Sequence, residues 1–201
     1  EAVGDADLLM VRSITKVNAA LLEGSSVRFV ATATIGEDHV DKNYLAQRGI
    51  AFSSAPGCNA DSVAQYITAA LLELAERYGL RLDAMSMGIV GVGNVGSRVA
   101  RVAQALGMTC VLNDPPRARA EGDAAFQSLE KAAACDIVTF HVPLAKGGPD
   151  ATYHLADTAF LDSLRSGTFV INTSRGAVVD NPALKDALAR GHVRGAVLDV
   201  W

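Results

Sequence analysis

The run Gly91-Val-Gly93-Asn-Val-Gly96, directly behind the apolar stretch Met87-Gly-Ile-Val, constrains this chain more than any other feature. A bare G-x-G-x-x-G marks many unrelated glycine turns. Here an apolar strand leads in, a helical pattern leads out, a second apolar run follows, and Asp114 stands at its end. In that setting each glycine has a task. Gly91 admits a tight turn, Gly93 lets backbone approach a pyrophosphate, and Gly96 lets the helix pack on the strand. The helix start adds N–H groups without intrahelical acceptors and the positive end of the helix dipole. The Asp114 carboxylate is placed to accept hydrogen bonds from the hydroxyls of an adenosine ribose. The reading is a dinucleotide site, set against a plain glycine turn inside a buried α/β core.

Short apolar runs alternate with helical patterns along the whole chain. Strands are expected at 6–12, 27–34, 50–54, 87–90, 109–113, 137–142, 168–172 and 195–200. Helices are expected near 16–22, 40–48, 62–78, 95–106, 127–134 and 158–164, with a last one from Pro182 to Arg190. This alternation predicts an α/β fold of doubly wound parallel sheets with helices on both faces. Asn59 or Asp61 can cap the 62–78 helix, whose Ala/Leu-rich pattern predicts burial on several sides. That helix is expected to link two modules, residues 1–80 and residues 81–201. No Met opens the chain, and it stops at Trp201 directly after a strand, so a piece of a longer protein is expected.

A net charge of −4 with scattered Lys and Arg leaves no basic stripe for nucleic acid. No apolar run reaches the roughly 20 residues of a membrane helix, and no signal-peptide pattern opens the chain, so a cytoplasmic protein is expected. Cys58, Cys110 and Cys135 are odd in number and lack ligand spacing, which predicts reduced, packing cysteines and no metal.

Three polar clusters follow predicted strands. Asn172-Thr-Ser-Arg175-Gly-Ala-Val-Val-Asp180 lies at a carboxyl end, where open α/β sheets place ligands. An arginine there suits a carboxylate or carbonyl, because its planar fork donates two parallel hydrogen bonds. Pairing with Asp180 or capping carbonyls is the alternative. Pro56-Gly57-Cys58-Asn59-Ala60 leads into the long helix and offers backbone N–H groups to an anion, or serves only as a helix-entry turn. Arg12-Ser13-Ile-Thr-Lys16 groups cations with hydroxyls, as an oxyanion pocket or a solvated loop. Removing the proton of an alcohol during hydride transfer requires a base. His39 sits among Glu37, Asp38 and Asp41, where helix capping or a surface ion pair is expected. His141 lines the ligand side of its strand or packs there, and His154 and His192 read as surface or packing residues. No base can be named within the chain.

Taken together, V-R-S-x-T-K at 11–16, D-H-V-D at 38–41, P-G-C-N-A at 56–60, the glycine motif, H-V-P-L at 141–144, N-T-S-R-G-A-V-V-D at 172–180 and V-L-D-V-W at 197–201 resemble the D-isomer-specific 2-hydroxyacid dehydrogenase family. The resemblance implies a Rossmann-type NAD-binding domain plus a flavodoxin-like substrate domain, incomplete here, and a homodimer. Through A-P-G-C-N-A, N-D-P-P-R and G-G-P-D-A-T-Y-H-L the chain is most similar to a branch that oxidises 4-phospho-D-erythronate for vitamin B6 synthesis. Dehydrogenases of 3-phosphoglycerate or glyoxylate, and a non-catalytic NAD sensor, are the alternatives. By the same resemblance Asn94 and Val95 offer N–H groups to the pyrophosphate of NAD, and Asp114 holds its ribose. Val142, Thr173, Ser174 and Asp199 line the cofactor. Arg175 orients the 2-hydroxyl and carboxylate, backbone at Gly57, Cys58 and Asn59 binds the carboxylate, and Ser13 and Thr34 contact substrate. Arg12 and Lys16 are added as candidates for the 4-phosphate. The family's acid–base glutamate and histidine are expected beyond Trp201, so residues 1–201 alone are expected to be inactive.

Overall fold

A computed structural model describes residues 3–34, 36–122 and 124–201. The chain separates into two compact units, Glu1–Asn59 and Ala60–Trp201. In the first, β1 (Leu8–Val11), β2 (Phe29–Thr32) and β3 (Ala51–Ser53) form a parallel sheet in that order, with Leu8 opposite Phe29 and Phe29 opposite Ala51. Helices α1 (Ala19–Leu22) and α2 (Lys42–Gln47) begin at side-chain caps. Asn18 accepts from the Leu21 N–H, and Asp41 accepts from the Tyr44 N–H at 2.9 Å. Each cap satisfies a donor that the helix leaves open. Val17, Leu22, Val30 and Leu45 close the core. Parallel strands place all three carboxyl ends on one edge.

The second unit contains α3 (Ala60–Tyr78), β4 (Ser86–Val90), α4 (Asn94–Ala105), β5 (Thr109–Asn113), α5 (Pro115–Glu121) and α6 (Leu129–Ala133). It continues with β6 (Ile137–Phe140), α7 (Thr158–Ser163), β7 (Thr168–Asn172), α8 (Asn181–Ala189) and β8 (Val193–Leu198). Its five strands run parallel in the order β5-β4-β6-β7-β8. Strand order therefore reverses at β4, and the crevice between the carboxyl ends of β4 and β6 is the topological switch point, where such sheets bind ligands. A lone parallel bridge from Leu112 to Phe126 extends the sheet on the far side of β5.

Alternate residues of each strand enter different cores. Met87, Ile89, Ile137, Phe169 and Ile171 pack with Ile67 and Leu71 of α3 and Val99 and Ala103 of α4. Val90, Val138, Phe140 and Val170 pack with Phe160, Leu161 and Leu184 of the helices on the other face. The long helix, expected as the link between residues 1–80 and 81–201, falls within the second unit. It also buries one stripe (Ala60, Ala64, Ile67, Leu71 and Leu74) and leaves Tyr66 and Leu72 exposed, against the expected burial on several sides. Alanine and leucine favour helix whether or not they are covered, so composition overstated the buried face. Helix α5 was not expected. Its two leading prolines suit the first helical turn once Asp114 caps it. Among the described residues no helix is long and apolar enough to cross a membrane.

Candidate functional site

The glycine turn is shaped by close approach. Gly91 has φ of +87°, and a Cβ there would lie 2.6 Å from the His141 carbonyl oxygen and 2.8 Å from Val142 Cγ1. Its N–H donates to Asn113 O at 2.8 Å, and the His141 N–H donates to Val90 O at 2.7 Å. The turn is thus locked into the switch point from both neighbouring strands. A Cβ on Gly96 would overlap the carbonyl of Gly91, 2.9 Å from its carbon. At Gly93 an added Cβ meets nothing within 4 Å, and this residue caps α4 without a side-chain bond. Open space therefore lies against an uncapped start of a 12-residue helix, as an approaching diphosphate requires.

Asp114 joins the turn to α5. Its Oδ2 accepts from the Val92 N–H at 2.8 Å and its Oδ1 from the Arg117 N–H at 3.1 Å. A carboxylate has about four acceptor positions, so capacity for a ribose diol remains. Arg117, which could have served a 2′-phosphate, is engaged elsewhere. Its Nε and Nη2 donate to Glu121 at 2.6 and 2.8 Å, Nη1 donates to Val92 O, and the guanidinium lies 5.0 Å over Phe126. The expected result is strong preference for NAD over NADP. Asp114→Ser keeps an N-cap but removes the charge, and should narrow the kcat/KM ratio of the two cofactors by about tenfold or more. An unchanged ratio would show that Asp114 does not set the choice.

The carboxyl ends of β6 and β7 are joined by side chains. His141, half-buried, has Nε2 at 3.0 Å from Thr139 Oγ1 and Nδ1 at 3.1 Å from Thr173 Oγ1. Desolvation pushes its pKa down to about 3, so the folded imidazole is neutral at physiological pH and acts as a hydrogen-bonding brace. Asn172, buried at the end of β7, folds the arginine loop. Its Oδ1 accepts from Ser174 N and Oγ at 3.1 and 2.8 Å, and its Nδ2 donates to Arg175 O at 2.9 Å. Arg175 is half-buried and donates from Nη1 to Ser174 O at 2.8 Å. Asp199 N–H donates to Asn172 O at 3.0 Å, and backbone at Trp201 packs so closely on Gly176 that a Cβ there would come within 2.5 Å. Val142, Thr173, Ser174, Arg175 and Asp199 are thus gathered at one edge. Asn172 was expected only as the start of the polar cluster and Thr139 was not anticipated, because a buried polar side chain at a strand end has no periodic signature.

In the first unit Arg12 and Ser13 follow β1, Thr34 follows β2, and Gly57–Asn59 follow β3, all at the carboxyl edge. Arg12, Ser13 and Lys16 are exposed, and none makes a side-chain hydrogen bond or ion pair among the described residues. The Cys58 N–H donates to Ala55 O at 3.2 Å, so of that triplet only the Gly57 and Asn59 amides lack a backbone acceptor among the described residues. His39 differs from expectation. It is 8% exposed, and among the described residues it neither caps a helix nor pairs with an acid. Asp41 caps α2, and Glu37 accepts from Lys42 and Ser54, both at 2.7 Å, which holds its carboxyl below the usual range. His154 has φ of +51° and Nδ1 at 3.6 Å from Asp180 Oδ2, beyond hydrogen-bonding distance. Burial raises the thiols of Cys110 and Cys135 above their ordinary range, as for packing cysteines.

A doubly wound sheet with this turn at its switch point, an open helix start and an anchored carboxylate defines a dinucleotide-binding α/β protein. The family model of the D-isomer specific 2-hydroxyacid dehydrogenase NAD binding domain matches residues 61–201, and the chain belongs to that family. The residues at the switch point fit NAD. The chain is 56% identical over 204 residues to the erythronate-4-phosphate dehydrogenase of Salinibacter ruber, covering 99% of this chain and 52% of that protein. It is 54% identical to the one from Bacteroides thetaiotaomicron, covering 100% of this chain and 58% of that protein. The chain therefore spans little more than half the length of these relatives. Among solved structures it is similar to D-lactate dehydrogenase from Aquifex aeolicus complexed with NAD and lactic acid, with a TM-score of 0.84 and 27% identity over 100% of this chain and 66% of that one. NAD-bound 3-phosphoglycerate dehydrogenase of Entamoeba histolytica matches at a TM-score of 0.84 and 25% identity, over 100% of this chain and 66% of that chain.

Proposed function

We propose that this chain is part of a cytoplasmic, homodimeric enzyme that oxidises 4-phospho-D-erythronate at C2 to 3-hydroxy-2-oxo-4-phosphooxybutanoate, toward pyridoxal 5′-phosphate. The observation that carries the reading is Arg175, held by Asn172 at the carboxyl edge of an NAD-binding sheet, in a chain 56% identical to a named erythronate-4-phosphate dehydrogenase. Bound NAD supplies the hydride acceptor. Around it, amides at Asn94 and Val95 would hold the pyrophosphate, Asp114 the ribose, and Val142 would line the cofactor, with Thr173, Ser174 and Asp199 on the nicotinamide side.

The first unit serves as the substrate domain. Amides at Gly57 and Asn59 take the carboxylate, with Cys58 shaping their turn. Ser13 and Thr34 bind hydroxyls, and Arg12 with Lys16 takes the 4-phosphate. Arg175 orients the 2-hydroxyl and stabilises the charge that gathers on its oxygen as the C2–H pair leaves. The hydroxyl proton passes to a histidine, oriented by a glutamate, in the part of the relatives that this chain does not span. Without it, turnover by residues 1–201 should fall by a factor of about 10²–10⁴.

The deciding experiment compares 4-phospho-D-erythronate, D-3-phosphoglycerate and glyoxylate with the whole protein, following the nicotinamide absorbance. The first should exceed the others in kcat/KM by about 100-fold or more, because the phosphate and hydroxyl contacts are matched to it. Equal or better use of either rival acid would overturn the assignment.

A further inference from the structure

His39 is a buried polar group that the proposed function leaves without a task. Its Nε2 lies 3.1 Å from Thr32 Oγ1, which lies 2.7 Å from Thr34 Oγ1, which in turn donates to Gly36 O at 3.1 Å. The end of this chain fixes its direction. A carbonyl oxygen only accepts, so the single Thr34 proton goes to Gly36. Thr32 must then donate to Thr34, and its own oxygen must accept from His39. The imidazole therefore carries its hydrogen on Nε2. Its Nδ1 is buried without a partner among the described residues, an arrangement that gains nothing for the fold and is retained at some cost. His39 is also pinned by its backbone, whose carbonyl accepts from the Val17 N–H at 2.8 Å.

We propose that His39 is a positioning residue for substrate specificity. Through Thr32 it locks the Thr34 hydroxyl so that this group meets substrate as an acceptor only. Both the Thr34 proton and one lone pair are engaged, and the one remaining lone pair repels anionic oxygen and welcomes a hydroxyl. This rests on the proposed substrate. That acid has two hydroxyls, and the 2-hydroxyl belongs to Arg175 and the proton acceptor. The 3-hydroxyl is therefore the donor that Thr34 receives.

Two measurements on the whole protein test this. In ¹⁵N-histidine-labelled enzyme, long-range ¹H–¹⁵N spectra should assign His39 as the Nε2–H tautomer, and an Nδ1–H tautomer would overturn the relay whatever the substrate. Kinetically, the 3-deoxy analogue, 2-hydroxy-4-phosphooxybutanoate, should lose about tenfold or more in kcat/KM relative to 4-phospho-D-erythronate. His39→Leu and Thr32→Val should erase most of that discrimination, mainly through KM for the natural acid, while His39→Gln, which returns an N–H donor, restores it. Equal use of both acids by the parent enzyme, or discrimination intact in His39→Leu and Thr32→Val, would overturn the proposal while leaving the reaction assignment standing. Absence of turnover on 4-phospho-D-erythronate beside an Nε2–H tautomer would instead remove the substrate assignment and with it the 3-hydroxyl role.

Discussion

Arg175→Ala in the whole protein should lower kcat/KM for the hydroxy acid by about 10²–10³-fold, the usual loss when a donor to a developing oxyanion is removed. The side chain stands on a loop that Asn172 folds from beneath through three hydrogen bonds, none of which involves the guanidinium. Truncation should therefore leave the loop in place. Affinity for NADH, followed by fluorescence, should change less than about threefold, because the pyrophosphate and ribose contacts lie at the ends of β4 and β5, across β6 from the arginine loop. Arg175→Lys should recover only a small part of the activity, since an ammonium cannot reproduce two parallel donors in one plane. Activity within a few-fold of the parent in Arg175→Ala would remove this residue from the chemistry.

Two glycines of the turn should separate folding from binding. Gly96→Ala drives a methyl into the carbonyl of Gly91, a backbone group that cannot swing aside, and the expected penalty is about 1–3 kcal/mol of stability together with loss of NAD binding. Gly93 has φ of −74° and ψ of −150°, at the margin of the extended region, and nothing lies within 4 Å of the added methyl. Gly93→Ala should lower the melting temperature far less than Gly96→Ala yet weaken NAD binding by about tenfold or more, since its methyl occupies the space that the diphosphate needs. Calorimetric titration with NADH beside thermal melts checks both. Normal NAD affinity in Gly93→Ala would move the phosphate site away from this helix start.

Much of the fold was legible because strands and helices carry their own periodicities. Strands β5 and β7 have the bounds expected from their apolar runs. Most other ends shifted by one to three residues, as at β2, where the chain turns out of the sheet beyond Thr32 to form the hydroxyl chain. The motif residues were legible for a similar reason. A glycine turn is a local device whose spacing records its conformation, and Gly91 adopts the positive φ that its position demanded.

Assignments that depended on what a residue touches fared differently. The acids around His39 suggested an exposed ion pair, yet the imidazole turns inward to Thr32, seven positions earlier, while Asp41 and Glu37 find helix and lysine partners of their own. Arg117 stands three residues from Asp114, and folding commits it to Glu121, Val92 and Phe126. The 60–78 helix has a composition that fits either unit. Its stripe of Ile67, Leu71 and Leu74 matches the Met87 and Ile89 face of the second.

Residue order alone specifies the alternation of strands and helices, the turn at 91–96 and a carboxylate at the end of the next strand, because each depends on neighbours within a few positions. Packing chooses which strand lies beside which, and hence that Gly91 meets His141 and Thr173 braces His141 from 32 residues away. It also decides that the histidine among acids is buried. Hydrogen bonds between distant segments are selected by the cost of leaving polar groups unpaired once water is excluded, and that cost exists only after the sheets have formed.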